Sequence, residues 1–282
     1  MASNVALQPT KNYRWFSGFG NIFSKENHQW WGTRKWLVQV AIWLVLINGF
    51  VLGFTVVMPN LPKFKASLQT LSAGEVAEVK AGFAKQGLSM FFVFSGLIAG
   101  AGVVIFAQDA LIGEKRAGTV AWLLSKPVSR TAFLLAKLAA DAIGILVTIV
   151  IIQGAVGYFV LRAGTGISFQ VPNLMAAMGL VAMVLFFLLS LTYMLGSLSN
   201  SRGLVVGIPL LLITLAQYEI MVPLLAKTMP WNLVVETQYS NSMAILLAKG
   251  EPLTFITPII STAVMTVLFI VVAAWRINRE EF

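Results

Sequence analysis

The 282-residue chain contains no cysteine, one histidine and charged side chains at only 11% of positions. The lack of cysteine excludes disulfides, thiolate metal sites and iron-sulfur clusters built by this chain alone. A single histidine, His28, excludes two-histidine haem ligation and histidine-cluster metal sites within the chain. It reads as a polar residue at a membrane interface. No Gly-Lys dipeptide occurs anywhere, so the phosphate cradle Gly-x-x-x-x-Gly-Lys-Ser/Thr is missing. With so few groups able to move protons, hold metal or attack a reaction centre, the expectation is a chain that is not an enzyme and binds no cofactor of its own.

What the chain has in abundance is apolar length. Hydrophobic residues make up 58% of it and the mean hydropathy is +0.83, whereas a soluble domain is about one quarter charged. Several apolar runs exceed the roughly 18 residues that separate a membrane span from a buried core helix. The fold class is therefore an all-α integral membrane protein of about six spans, at about 36–58, 88–108, 133–161, 174–198, 204–225 and 253–275. Pro209 and Pro223 fall inside the fifth, where a helix in lipid kinks if neighbours satisfy the freed carbonyls. No internal repeat or linker is visible, so residues 1–282 parse as one membrane domain. Residues 1–35 are polar, basic and aromatic and lack the apolar region of a cleavable signal, so the first span is expected to remain as an anchor.

Basic residues orient the chain. With the N-terminus inside, 13 of the 20 Lys and Arg fall on the inner side and seven on the outer. The expectation is N-in and C-in, despite four Lys in the first outer loop. Residues 15–36 interleave Trp15, Phe16, Phe19, Phe23, Trp30, Trp31 and Trp36 with Lys25, Arg34 and Lys35. That composition fits an amphipathic helix in the headgroup plane, and equally an aromatic belt that opens span one behind a disordered tail.

Acidic residues inside spans cost about 2.5 to 3.5 kcal/mol each at a helix centre and therefore need a reason. Asp141 stands in span three with Lys137 one turn earlier, which predicts an i,i+4 ion pair. Glu219 lies toward the outer end of span five. The alternative for both is the lining of a polar pathway. Gly-x-x-x-Gly spacings at Gly49/Gly53, Gly96/Gly100 and Gly203/Gly207 allow close helix approach, within the chain or as a dimer seam.

The stretch between spans two and three is more specific. Glu114, Lys115 and Arg116 carry charge, apolar residues 120–124 follow, and Pro127 stops any helix before span three. This pattern describes a short helix at the cytoplasmic surface. Glu114, Gly118-Thr119, Leu123-Leu124, Pro127-Val128-Ser129-Arg130 and Leu134-Leu135-Ala136-Lys137 together resemble the type-2 ABC transporter permease family. In that family an acidic residue, a Gly-Thr pair, a Leu-rich turn, a Pro-hydrophobic-Ser/Gly-Arg unit and a Leu-Leu-x-Lys segment recur between spans two and three. The phrase from Asp109 to Thr119 looks closest to copper-enzyme-maturation and multidrug-type permeases.

The resemblance implies a half-transporter in the plasma membrane that performs no bond chemistry itself. Two such permeases, identical or related, would form the pathway, and separate ATPase subunits carrying ATP and Mg would dock on the cytoplasmic face. The helix after span two would be the coupling helix, with Glu114, Lys115, Arg116, Gly118, Thr119, Leu123, Pro127 and Arg130 as the residues carried over. The family also suggests that residues 230–235 and 243–248 fold back into the membrane, although a surface amphipathic helix has the same pattern. Membrane lipid is an expected partner and nucleic acid is not. An ATP-independent carrier or channel, and a structural anchor of a larger complex, are the rival readings, and neither requires the pattern from Glu114 to Lys137.

Overall fold

The computed structural model describes residues 16–116, 128–167, 169–215, 228–236, 241–253 and 255–279. Nine helices carry them: α1 (Phe19–Trp31), α2 (Lys35–Asn60), α3 (Pro62–Leu68), α4 (Ala73–Arg116), α5 (Arg130–Thr165), α6 (Val171–Leu198), α7 (Arg202–Leu215), α8 (Met243–Lys249) and α9 (Thr257–Arg279). No strand occurs among the described residues. A helix suits apolar runs of this length in lipid, because it satisfies its own backbone donors and acceptors.

Five helices, α2, α4, α5, α6 and α9, are long and apolar enough to cross a membrane. The expected fifth span begins as α7, which is 14 residues long and ends at Leu215; its continuation to 225 lies outside the described residues. The last span is displaced from its apolar run. It starts at Thr257 rather than 253, because Gly250 closes α8 in a left-handed turn at φ 77° and Pro258 suits the first turn of the next helix.

α6 is the hub. Of its apolar window 72% is buried, against 17% for α9 and 28% for α2, so α6 fills the middle of the bundle and the other two face outward. It packs against α4, α7, α8 and α9. α4 is 44 residues long, about 66 Å at the α-helical rise, so both its ends project from a hydrocarbon core of about 30 Å. Its N-terminal end is capped by Ser72, which accepts from the Glu75 N–H while Glu75 accepts from the Ser72 N–H. Phe83 stacks on Phe54 of α2 and meets Phe64 of α3 edge to face, holding both helices to the root of α4. The other end, Asp109–Arg116, follows a turn at Gln108.

Of the two forms open for the N-terminal segment, the structure takes a helix separate from the first span. α1 is set off from α2 by residues 32–34 and buries Ile22, Glu26 and Trp30, a stripe at i, i+4 and i+8, against α5. Residues 230–234 lie inside the bundle. Trp231 of the 3-10 turn Pro230–Leu233 is buried beside Leu97, Val184, Phe187 and Leu188, at the middle depth of α4 and α6. Val234 packs against Gly96, and α8 returns along α6 with Met243, Ala244 and Ile245 buried. A surface helix would leave one face free, so this geometry favours the folded-back arrangement.

π-helical turns at Leu44–Gly49, Gly53–Val57, Phe94–Ile98 and Leu146–Ile151 interrupt α2, α4 and α5 at mid-span. Beside them lies a buried polar contact between the first and third spans. Asn48 donates to the Gln153 side-chain oxygen at 2.9 Å, and Gln153 donates to the Thr148 carbonyl at 3.0 Å.

Candidate functional site

A cluster of charged residues lies at one end of the bundle, where α1, the Asp109–Arg116 end of α4, the start of α5 and the end of α6 meet. α5 begins there because Ser129 caps it, its hydroxyl accepting from the Ala132 N–H at 3.1 Å. Two turns further, Lys137 points into the junction with only 7% of its side chain exposed. Its ammonium lies 3.0 Å from Glu26 of α1 and 3.1 Å from Glu114 of α4. The Phe133 ring lies 5.8 Å from the same ammonium.

Asp141 is not the partner of Lys137 that their spacing predicts. Its two oxygens accept from the Trp30 indole N–H at 2.9 Å and the Tyr193 hydroxyl at 2.6 Å. The ion pair forms elsewhere because a lysine with two buried carboxylates within reach gains more than from one local acid on its own helix. Asp141, left without that cation at salt-bridge distance, takes short charge-assisted bonds instead. Its two oxygens thereby join α1, α5 and α6 through one hydrogen bond each. Gly144 makes room for this: a Cβ at that position would lie 2.5 Å from Trp30 ring carbons.

The other expected coupling residues also turn toward the bundle. Lys115 donates to the Ser197 carbonyl at 3.1 Å and Arg116 to the Asn200 carbonyl at 3.0 Å. These are orphan acceptors at the C-terminal end of α6 and the turn beyond it, where cations are favoured. Arg202 meets Asp109 at 2.7 Å, but both side chains are about half exposed, so this pair adds little. Arg130 reaches the carbonyls of Ile277 and Asn278 at 3.4 and 3.3 Å, tying the start of α5 to the last turn of α9. The Ser129 N–H donates to the Ser17 carbonyl at 3.0 Å, which fixes the chain ahead of α1 against the same point.

Glu114, Lys115, Arg116, Arg130 and Asp141 are thus brought into one region. Gly118, Thr119, Leu123, Pro127 and Glu219 lie outside the described residues. Glu26, Trp30 and Tyr193 complete the region and were not singled out as site residues from sequence. The available signal was Glu26 and Trp30 one turn apart in a segment otherwise basic and aromatic. No group of three or more His, Cys, Asp or Glu side chains is placed to hold a metal among the described residues.

The glycine pairs divide. Cβ atoms at Gly96 and Gly100 would lie 2.7 Å from Val234 and 2.4 Å from Leu188, so that pair packs within the chain. Nothing lies within 4 Å of such an atom at Gly53 or Gly207, and Gly49 and Gly203 meet only neighbours in their own segments. Among the described residues, a Cβ at these four positions therefore meets no other helix.

A search of curated proteins finds no match to the chain. The family model described as ABC-2 family transporter protein matches residues 21–282, which takes in α1, all the spans and the polar junction. With that match extending from the first helix to the last residue, the chain belongs to the ABC-2 family of transporter proteins.

Proposed function

We infer that this permease component of an ABC transporter is the membrane half of an exporter driven by a separate ATPase subunit. The ATPase binds ATP and Mg and docks on the cytoplasmic face, where residues 109–137 emerge. Family membership supports an ABC ATPase partner, and the basic residues favour N-in and C-in in a plasma membrane. The observation that carries the reading is the double ion pair of Lys137 with Glu26 and Glu114. Through it, a displacement of the segment after Arg116 moves α1, α4 and α5 together.

In this reading Glu114, Lys115 and Arg116 act as positioning residues that hold the root of the coupling segment, together with Arg130. The docking contact itself falls to the segment that contains Gly118, Thr119, Leu123 and Pro127. ATP binding draws two ATPases together, and the permease dimer alternates between inward-open and outward-open packing. The driving free energy is the difference in ATPase affinity for the two permease states. The exposed Gly49/Gly53 face of α2 is the proposed seam with a second permease chain.

Charge reversal tests it. Glu114→Lys with Arg116→Glu should abolish stimulation of ATP hydrolysis by the permease and ATP-driven transport in vesicles. Full transport by the double variant, or transport by the permease alone, would reject the coupled exporter.

A further inference from the structure

Between α5 and α6 runs a groove of about 560 Å³, lined by Ile151, Ala155, Tyr158 and Phe159 on one side and by Met175 and Gly179 among others on the opposite side. Its extent along α6, Val171 to Ala182, is about 16 Å at the helical rise, half of a hydrocarbon core of about 30 Å. It therefore has the depth of one leaflet. Its lining residues belong mostly to the halves of α5 and α6 remote from Lys137, on the side read as external. Its walls are hydrophobic, and Phe159 and Met175 are each 69% exposed.

Arg162 lies on α5 one turn beyond the lining residue Phe159. Ile151, Ala155, Tyr158, Phe159 and Arg162 follow one another at i, i+4, i+7, i+8 and i+11, so the arginine extends the groove-facing stripe of α5 by one turn. It is exposed and, among the described residues, pairs with no carboxylate. A cation on the external side runs against the topological bias of basic residues and calls for a local reason. An arginine one turn above an apolar slot one leaflet deep is complementary to an amphiphile with an anionic head and an alkyl tail.

We propose that this groove binds an anionic phospholipid from the external leaflet, its phosphate on Arg162 and one acyl chain between α5 and α6. A second permease chain is a poorer occupant, because a twofold contact centred here would set Arg162 against its own copy. The site is independent of the coupling residues, so it stands or falls apart from the exporter reading.

The test uses the full chain extracted in mild detergent from vesicles of equal phosphatidylglycerol and phosphatidylcholine, with retained lipids counted by native mass spectrometry. Phosphatidylglycerol should be retained in preference, and Arg162→Gln should lower its retention about fivefold, while Arg162→Lys keeps most of it. Gly179→Leu, at a position with nothing within 4 Å of a Cβ, should fill the groove and reduce retention of both lipids. Equal phosphatidylglycerol retention by wild type and Arg162→Gln would overturn the proposal. So would efficient disulfide formation between copies through Met175→Cys, which is clean to read because the chain has no other cysteine.

Discussion

The indole N–H of Trp30 and the carboxylate of Asp141 meet at 2.9 Å across 111 positions of sequence. That bond docks the N-terminal helix onto the third span. The ring can lie flat against α5 only because residue 144, one turn beyond Asp141, has no side chain. Bond and clearance form one device.

Gly144→Ala should therefore undock α1. The added methyl would sit 2.5 Å from Trp30 carbons, an overpacking that costs about 1–3 kcal/mol when the neighbour must shift. Hydrogen exchange read by mass spectrometry should show faster exchange across residues 19–31. Unchanged protection there would mean that the ring moves aside without loss.

Lys137→Met should destabilise the bundle more. It leaves Glu26 and Glu114 close together, mostly buried and without their cation, a situation that costs about 3–5 kcal/mol. The thermal midpoint in detergent should fall by several degrees. Adding Glu26→Leu and Glu114→Leu should recover most of the loss, because the two carboxylates that Lys137 had bridged go with it. A midpoint indifferent to Lys137→Met would place these carboxylates in water rather than in the junction.

Gly53→Leu and Gly100→Leu should separate two roles of the same spacing. Gly53 has open space around it, so its replacement should change chain stability by no more than about 0.5 kcal/mol while weakening association of two permeases. A Cβ at Gly100 would lie 2.4 Å from Leu188, and leucine there should lower the thermal midpoint. Light scattering of the detergent-corrected mass reads association, and thermal unfolding reads stability. Loss of stability at both sites, with association intact, would contradict the seam on α2.

Much of the fold was legible because lipid imposes it. Runs of about twenty apolar residues must be helical where no water can satisfy a backbone, and the described parts of the six expected spans are helical apart from Gln108 and residues 253, 255 and 256. Boundaries were less legible. The last span follows Pro258 and the left-handed Gly250 rather than the edge of its apolar run. The site was legible in place but not in pairing. The spacing of Lys137 and Asp141 is right for a helical ion pair, yet partners distant in sequence took both groups. Glu26 lies 111 positions before Lys137 and Trp30 the same distance before Asp141, and no local periodicity reports such a contact.

By itself, the sequence determined the solvent of this protein, its helical class and its lack of a phosphate-binding loop, because each follows from composition, run length or a contiguous motif. Only the tertiary structure decided which charges neutralise one another, which glycines receive a neighbour and which arginine stands over an apolar groove. Those outcomes depend on the competition among groups from different helices in a low-dielectric interior, and proximity along the chain does not set its result.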